Sequence, residues 1–157
     1  MFDITDELRT LVAAFHKQEI DYALCGGMAM AVHGRLRMTI DIDLLILSAS
    51  LDEVLRIANS LGYNVRGKDL SFANGAIEIR RVSKIDSADG ELLSLDLLLV
   101  TPEIIEMWDS RVEGEWEGGK LSVVSASGLI ALKRLRGSLQ DLADIDALTG
   151  EGSNEAS

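Results

Sequence analysis

The apolar residues in the first part of the chain recur at the spacing of helix faces. Between residues 4 and 15 they fall three or four positions apart, which places them on one stripe of an amphipathic helix. Asp3 or Thr5 is suited to cap the N-terminus of this helix. A second stripe of the same period extends over residues 51–61 and ends before Gly62, a residue type that commonly terminates helices. These patterns predict two helices that each bury one side.

Continuous apolar runs predict the strands of a β-sheet. Residues 40–47 give the strongest pattern, because they are apolar on both faces except for two aspartates. Such a run is typical of a central strand that is covered on both sides. The other predicted strands are residues 22–25, 63–66, 77–82 and 92–100, together with a hairpin of residues 111–116 and 120–124.

Short helical segments alternate with the predicted strands. They cover residues 28–32, 103–108, 128–136 and 138–148. This alternation indicates an α/β or α+β fold and disfavours a helical bundle or a β-sandwich. Because no repeat or linker divides the chain, we expect one domain over residues 1–149, followed by a flexible C-terminal tail at residues 150–157.

Two aspartates interrupt the strongest predicted strand. Asp41 and Asp43 are two positions apart, so their side chains share one face of the strand, with Cα atoms about 6.5 Å apart. At an effective dielectric constant near 20, their repulsion costs roughly 2–3 kcal/mol, and partial burial adds a desolvation cost. A divalent cation that prefers oxygen ligands, such as Mg²⁺, would relieve this cost. The alternative is a solvated strand end, which the four apolar residues after Asp43 disfavour.

A third acid, Asp96, interrupts the apolar strand predicted at residues 92–100. If this strand neighbours the strand at residues 40–47, three carboxylates converge at one place. Such groups hold two metal ions about 3.5–4 Å apart in enzymes that transfer phosphoryl or nucleotidyl groups. The alternative is a structural ion pair between Asp96 and an arginine such as Arg80.

Glycines and basic residues near these acids suit a bound phosphate. Gly26 and Gly27 follow the first predicted strand and precede a short helix, where the backbone can approach a phosphate closely. Their spacing matches neither the dinucleotide-binding fingerprint nor a P-loop. The basic candidates are Arg35, Arg37 and Lys133, with Arg134 and Arg136 on the same late helix as Lys133. For those last two arginines, the alternative is a solvated helix C-terminus that complements the helix dipole.

Composition limits the partners of the chain. The 157 residues include 15 Lys and Arg against 26 Asp and Glu, a formal net charge of −11. This charge disfavours a broad nucleic-acid surface and requires a local basic pocket for any triphosphate. The single cysteine, Cys25, excludes an intramolecular disulfide and fits a reducing compartment. Because the chain has neither a bilayer-spanning apolar run nor the pattern of a signal peptide, we expect a cytoplasmic protein without a membrane partner.

The segment CGGMAMAVHGRLRMTIDIDLLIL resembles the signature of the nucleotidyltransferase superfamily with the DNA polymerase beta-like fold. It is most similar to the small bacterial branch of minimal and abortive-infection-type nucleotidyltransferases. The family expects a third strand acid later in the chain, where Asp96 stands, and many active members carry serine where this chain has Gly27. The matching positions are Gly26, Gly27, Gly34, Arg37, Thr39, Asp41 and Asp43, and in the late helices Lys133, Asp141, Asp144 and Ile145.

The resemblance implies a single-domain, nucleotidyltransferase-like mixed β-sheet flanked by helices. It also implies a Mg²⁺-dependent enzyme that transfers a nucleoside monophosphate from a nucleoside triphosphate to an acceptor hydroxyl. In this role Asp41 and Asp43 would hold two Mg²⁺ ions, and Asp96 would hold one of them and take the proton of the acceptor. The implied nucleotide contacts are Gly26, Gly27, Arg37, Thr39 and Lys133.

Three function classes stay open at the level of the sequence. If the chain is an enzyme, its acceptor is a transfer RNA, a protein or a small antibiotic-like alcohol. The second class is a non-catalytic binding or regulatory protein of the same fold, with a partner protein in a toxin–antitoxin pair. The third is a structural domain in which Asp41 and Asp43 form only an acidic strand end.

Overall fold

The computed structural model describes residues 1–34, 41–116, 119–137 and 139–156 of the chain. Its strands are β1 (Ala23–Cys25), β2 (Asp41–Ile46), β3 (Val65–Arg66), β4 (Leu70–Phe72), β5 (Ile77–Ile85), β6 (Leu92–Leu99), β7 (Val112–Trp116) and β8 (Gly119–Val123). Within the described ranges they form one mixed sheet in the order β3-β5-β6-β2-β1-β8-β7, and β4 pairs with β5. The predicted mixed sheet is therefore confirmed.

Six α-helices are present in the described ranges, and side-chain caps define several of their ends. They are α1 (Ile4–Lys17), α2 (Gly26–Val32), α3 (Leu51–Ser60), α4 (Ile105–Asp109), α5 (Ala126–Arg136) and α6 (Leu139–Ala156). The Asp3 carboxylate accepts from the first backbone N–H groups of α1, and the Ser125 hydroxyl does the same for α5. Gly137 ends α5 in the left-handed conformation that glycine adopts without steric cost. None of these helices combines the length and apolar character needed to cross a membrane.

At the centre of the sheet, one face is apolar, whereas the other carries the acids among apolar residues. Ile42, Leu44 and Ile46 of β2 are fully buried, in the same core as the apolar stripes of α1 and α3. The residues between them alternate to the opposite face, where α5 covers part of the sheet. Asp41 and Asp43 belong to this second face, so the predicted central strand and the predicted side of its acids are confirmed.

Three local features differ from the sequence predictions. Gly26 and Gly27 form the first turn of α2, where a separate turn was predicted before residue 28. Strand β4 was missed, because it is short and two of its three residues are exposed. Helix α6 extends to Ala156, beyond the predicted end at residue 148. The flexibility of residues 150–157 stays a prediction.

A buried tyrosine that follows α3 shares a carboxylate of α1 with a lysine of β5. The hydroxyl of Tyr63 donates to Oε1 of Glu7 at 2.8 Å, and Nζ of Lys84 donates to the same oxygen at 2.9 Å. Tyr63 is almost fully buried, so its hydroxyl depends on Glu7 for a partner.

We expect Tyr63→Phe to lower the free energy of unfolding by about 1 kcal/mol, because it removes one hydrogen bond and leaves the ion pair of Glu7 with Lys84 in place. Urea titration followed by circular dichroism measures this change. An unchanged midpoint would show that the hydroxyl contributes nothing net.

Candidate active site

A row of side chains crosses the polar face of the sheet. Cys25 of β1 pairs with Asp43 of β2, Asp43 pairs with Asp96 of β6, and Asp96 pairs with Arg81 of β5. Directly paired residues project from the same side of a sheet. The prediction that the strands of Asp43 and Asp96 are neighbours is confirmed, because β2 and β6 pair in parallel with these two residues opposite each other.

The acids line one cleft together with the glycine turn. Asp41 lies two residues before Asp43 and pairs with Ser94, so it belongs to the same face. The cleft contains about 590 Å³ of empty space, part of which is open to solvent. Its lining includes Gly26, Gly27, Asp41, Asp43 and Asp96, five of the residues that the sequence singled out.

The charged form of the Asp43 carboxyl group is unfavourable in the cleft. Burial raises the pKa of its carboxyl group from 3.8 to about 7, and the negative charges of Asp96 and Asp41 contribute to this rise. Arg136 and Lys133 act in the opposite direction without cancelling the effect. Removal from water is therefore the main reason that the charged form of Asp43 is unfavourable, and its two acidic neighbours add to this cost.

Asp96 is held by an arginine on the neighbouring strand. Nε of Arg81 donates to Oδ1 of Asp96 at 2.6 Å, and Nη2 donates to Oδ2 at 2.9 Å. The bond to Asp96 raises the pKa of the Arg81 guanidinium, which stays charged. The sequence suggested Arg80 for this pair, and that choice is wrong. Arg80 contacts Asp69 and Glu78, because adjacent strand residues project from opposite faces.

Gly26 touches Asp43 so closely that no side chain fits at this position. Its φ of +69° is in the left-handed region, which side-chain-bearing residues seldom adopt. A Cβ atom on Gly26 would lie 2.7 Å from Cγ and 2.8 Å from Cβ of Asp43. Two independent constraints, the positive φ and the contact with Asp43, therefore require glycine at the first residue of α2.

Two basic residues of α5 reach the cleft, and acids of α6 pair with both. Nζ of Lys133 donates to Oδ2 of Asp144 at 3.0 Å, and Nε of Arg136 lies 3.2 Å from Oδ2 of Asp141. Asp141 and Asp144, two of the positions that match the family pattern, are buried, with only 3% and 4% of their areas exposed. Arg134 and Arg136 are both exposed in the last turn of α5, as the alternative of a solvated helix end expects, and Arg136 also lines the cleft.

Several other polar residues either lie outside the described part of the chain or make structural contacts. Arg35, Arg37 and Thr39 lie outside the described residues. Nε2 of His33 lies 2.8 Å from the carbonyl oxygen of Val124, to which it can donate, and the ring of His16 lies against Tyr22. Both histidines therefore have structural contacts.

The acids of the cleft offer the hard oxygen ligands that Mg²⁺ prefers. Each Asp96 oxygen already accepts one bond from Arg81 and keeps a lone pair for a second partner. In the described part of the chain, the three acids whose ligand atoms all lie within 4.8 Å of one another are elsewhere, at Asp86, Asp89 and Glu91. The N-terminal ammonium group of Met1 lies at these three acids, with its nitrogen 2.7 Å from Oδ2 of Asp86 and 2.9 Å from Oδ2 of Asp89. A cation bound by all three cleft acids would therefore draw their carboxylates closer together.

Comparisons with known proteins show the fold. No family model matches the chain, and no curated protein does. A crystal structure of a candidate nucleotidyltransferase from Thermotoga maritima is similar over 93% of this chain and 92% of its own, with a TM-score of 0.66 and 16% identity. ANT(2'')-Ia in complex with adenylyl-2''-tobramycin has a TM-score of 0.66 and 18% identity over 97% of this chain and 91% of its own.

A third structure extends the comparison. The lincosamide antibiotic adenylyltransferase LnuA, bound to lincomycin, has a TM-score of 0.59 and 17% identity over 91% of this chain and 94% of its own. At such low identity, the agreement concerns the path of the backbone and the order of the elements. It confirms the fold that the resemblance implied, and the chain therefore has the nucleotidyltransferase fold over nearly all of its length.

Proposed function

We propose that this protein is a Mg²⁺-dependent nucleotidyltransferase, which transfers a nucleoside monophosphate from a nucleoside triphosphate to an acceptor hydroxyl. One observation carries the proposal. Three carboxylates from two adjacent strands, Asp41, Asp43 and Asp96, line one cleft with the N-terminal turn of α2. Acids in this arrangement bind the divalent ions that such reactions use, and the backbone at a glycine turn can approach a polyphosphate.

Each residue of the cleft has a role that its surroundings support. Asp41 and Asp43 would hold the Mg²⁺ ions, which supply positive charge beside the phosphates when they are bound. Asp96 would share one ion and take the proton of the acceptor, and Arg81 would fix its orientation. The backbone in the first turn of α2, at Gly26 and Gly27, would approach the triphosphate, and the missing side chain of Gly26 leaves space for Asp43.

Basic residues would contribute the remaining nucleotide contacts. Lys133 and Arg136 lie across the cleft from the sheet and would face the phosphates. Arg37 and Thr39, which lie outside the described residues, would add the nucleotide contacts that the resemblance implies. A triphosphate approaching a chain of net charge −11 needs such a local positive surface.

The neighbours favour an adenylyl donor and a small acceptor. One is bound to adenylyl-2''-tobramycin and another is named as a lincosamide adenylyltransferase, so each is associated with an antibiotic. By analogy, ATP is the first donor to test and a small hydroxyl compound is the first acceptor class. Transfer RNA and proteins remain on the acceptor panel.

The test uses the purified full chain with each of four α-³²P-labelled triphosphates, Mg²⁺ and a panel of hydroxyl acceptors. We expect a labelled acceptor and released pyrophosphate, both lost when EDTA replaces Mg²⁺. Calorimetry of Mg²⁺ with a non-hydrolysable triphosphate analogue runs in parallel. The absence of both turnover and analogue binding, even at millimolar analogue, would overturn the proposal.

One observation favours a second function. Both Asp96 oxygens accept hydrogen bonds from Arg81, which suits a cleft that binds without turnover. This would be a regulatory protein of the nucleotidyltransferase fold, half of a toxin–antitoxin pair. Binding of the analogue without transfer to any acceptor, together with co-purification of a partner protein, would favour this function over catalysis.

A further inference from the structure

The order of the strands gives the cleft two different sides. Strand β1, with the glycine turn at Gly26, lies on one side of β2 and β6, and β5 lies on the other with β4 paired to it. The proposed function, on which this inference rests, places the triphosphate at Gly26 and the proton acceptor at Asp96. The second substrate must then approach Asp96 from the side of β5 and β4.

That side of the cleft presents an apolar wall. Leu70 pairs with Ile79 and Phe72 pairs with Ile77, so the two β4 side chains continue the face that carries Arg81 and Asp96. Leu70, Phe72 and Ile79 line the same cleft as the acids. Phe72 keeps 39% of its area exposed at this rim. An aromatic ring that is open on one side offers a flat surface for a ligand.

The charges around the apolar wall are already paired within the protein. Asp69 lies 2.8 Å from Arg66 and 3.5 Å from Arg80, and Glu78 contacts Arg80 and the hydroxyl of Ser71. The charged group nearest to Asp96 on this side is the guanidinium of Arg81. Among the described residues, the two acids beside the wall, Asp69 and Glu78, each contact an arginine, so they do little to attract a polycation.

Nucleic acid fits this side of the cleft less well than a small molecule. The apolar wall consists of one exposed ring and two aliphatic neighbours, which match a single ring-sized group. The net charge of −11 opposes a long polyanionic backbone.

We propose that Leu70, Phe72 and Ile79 form the acceptor site, and that its occupant is a small uncharged alcohol with an aromatic or alicyclic face. The apolar face would lie on Phe72 while the hydroxyl group reaches Asp96. Phe72 thereby determines specificity for the acceptor and makes no contact with the nucleotide.

The test measures binding from the ¹⁹F NMR relaxation of two small probes. The neutral probe is 4-fluorobenzyl alcohol, and 4-fluorobenzylamine is its positively charged counterpart. Each probe is titrated with Mg²⁺ and the non-hydrolysable triphosphate analogue present. We expect Phe72→Ala to weaken binding of the alcohol about tenfold, through loss of the ring contact, and Phe72→Leu to recover part of it. Val112→Ala, at another exposed apolar strand position, serves as the matched control and should change nothing.

The possible outcomes separate this inference from the proposed function. If Phe72→Ala weakens binding no more than Val112→Ala, or if the wild type does not bind the alcohol, the acceptor site is overturned. Tighter binding of the amine than of the alcohol would also overturn it. Affinity for the triphosphate analogue, measured by calorimetry, should be equal in all variants. If the wild type did not bind the triphosphate analogue, that result would contradict the proposed function instead.

Discussion

Asp43→Asn is expected to abolish nucleotidyl transfer and, at the same time, to stabilise the folded protein. The carboxylate lies between Asp41 and Asp96, where it would hold metal, so its loss should lower kcat by at least about 10³-fold. The same charge is costly for folding, because burial and two acidic neighbours raise the pKa of Asp43 to about 7. Asparagine keeps the shape of the side chain without this cost.

The sign of the stability effect follows from proton binding. Between an ordinary pKa of 3.8 and a folded pKa of about 7, the folded protein retains a proton that the unfolded chain has lost. The free energy of unfolding of the wild type should therefore fall as the pH rises through this window. An asparagine side chain does not titrate, so the Asp43→Asn variant should gain about 2–4 kcal/mol over the wild type at pH 8 and nothing near pH 3.

Urea titrations at pH 3.5, 5, 6.5 and 8 without metal measure this difference, and a labelled-triphosphate assay measures transfer. Asp52→Asn, an exposed acid on α3, is the matched control and should change neither quantity substantially. Mg²⁺ should stabilise the wild type at pH 8 more than it stabilises the Asp43→Asn variant. Full transfer activity in the variant would refute the metal-binding role, and equal stability at pH 8 would refute the electrostatic strain.

Gly26→Ala is expected to cause the second-largest loss, in both stability and activity. The positive φ of Gly26 costs a side-chain-bearing residue about 1 kcal/mol. The added methyl group would also overlap the Asp43 side chain, so α2 or Asp43 must move. We expect a total destabilisation of about 2–4 kcal/mol. Transfer should fall more than tenfold, because both the glycine turn and a proposed metal ligand are displaced.

Gly90→Ala is the matched control for the cost of placing a side-chain-bearing residue at a positive φ. Gly90 has a φ of +75°, and a Cβ atom there would meet no heavy atom of the described chain within 4 Å. Its substitution should cost about 1 kcal/mol and leave transfer unchanged. Thermal and urea unfolding of both variants give the difference that belongs to the contact with Asp43. Equal costs for the two variants would show that this contact has no energetic consequence.

The local pattern of the sequence predicted most elements of the fold. Periodic apolar positions located α1 and α3, and the run around Asp43 located the central strand, because these signals depend only on residues near one another in the chain. Alternation along the strand placed Asp41 and Asp43 on one face for the same reason. Strand β4 gave no such signal, since it is short and its residues at positions 71 and 72 are exposed.

The sequence by itself therefore determined most of the secondary structure, the paired aspartates and the glycine turn, all of which follow from short-range spacing. Only the tertiary structure decided that Asp96 stands beside Asp43 and that Arg81, one residue from the expected Arg80, holds it. It alone also buried Asp141 and Asp144 against α5. The physical reason is that strand register and helix docking depend on pairing between distant segments, and a shift of one residue exchanges the two faces of a strand.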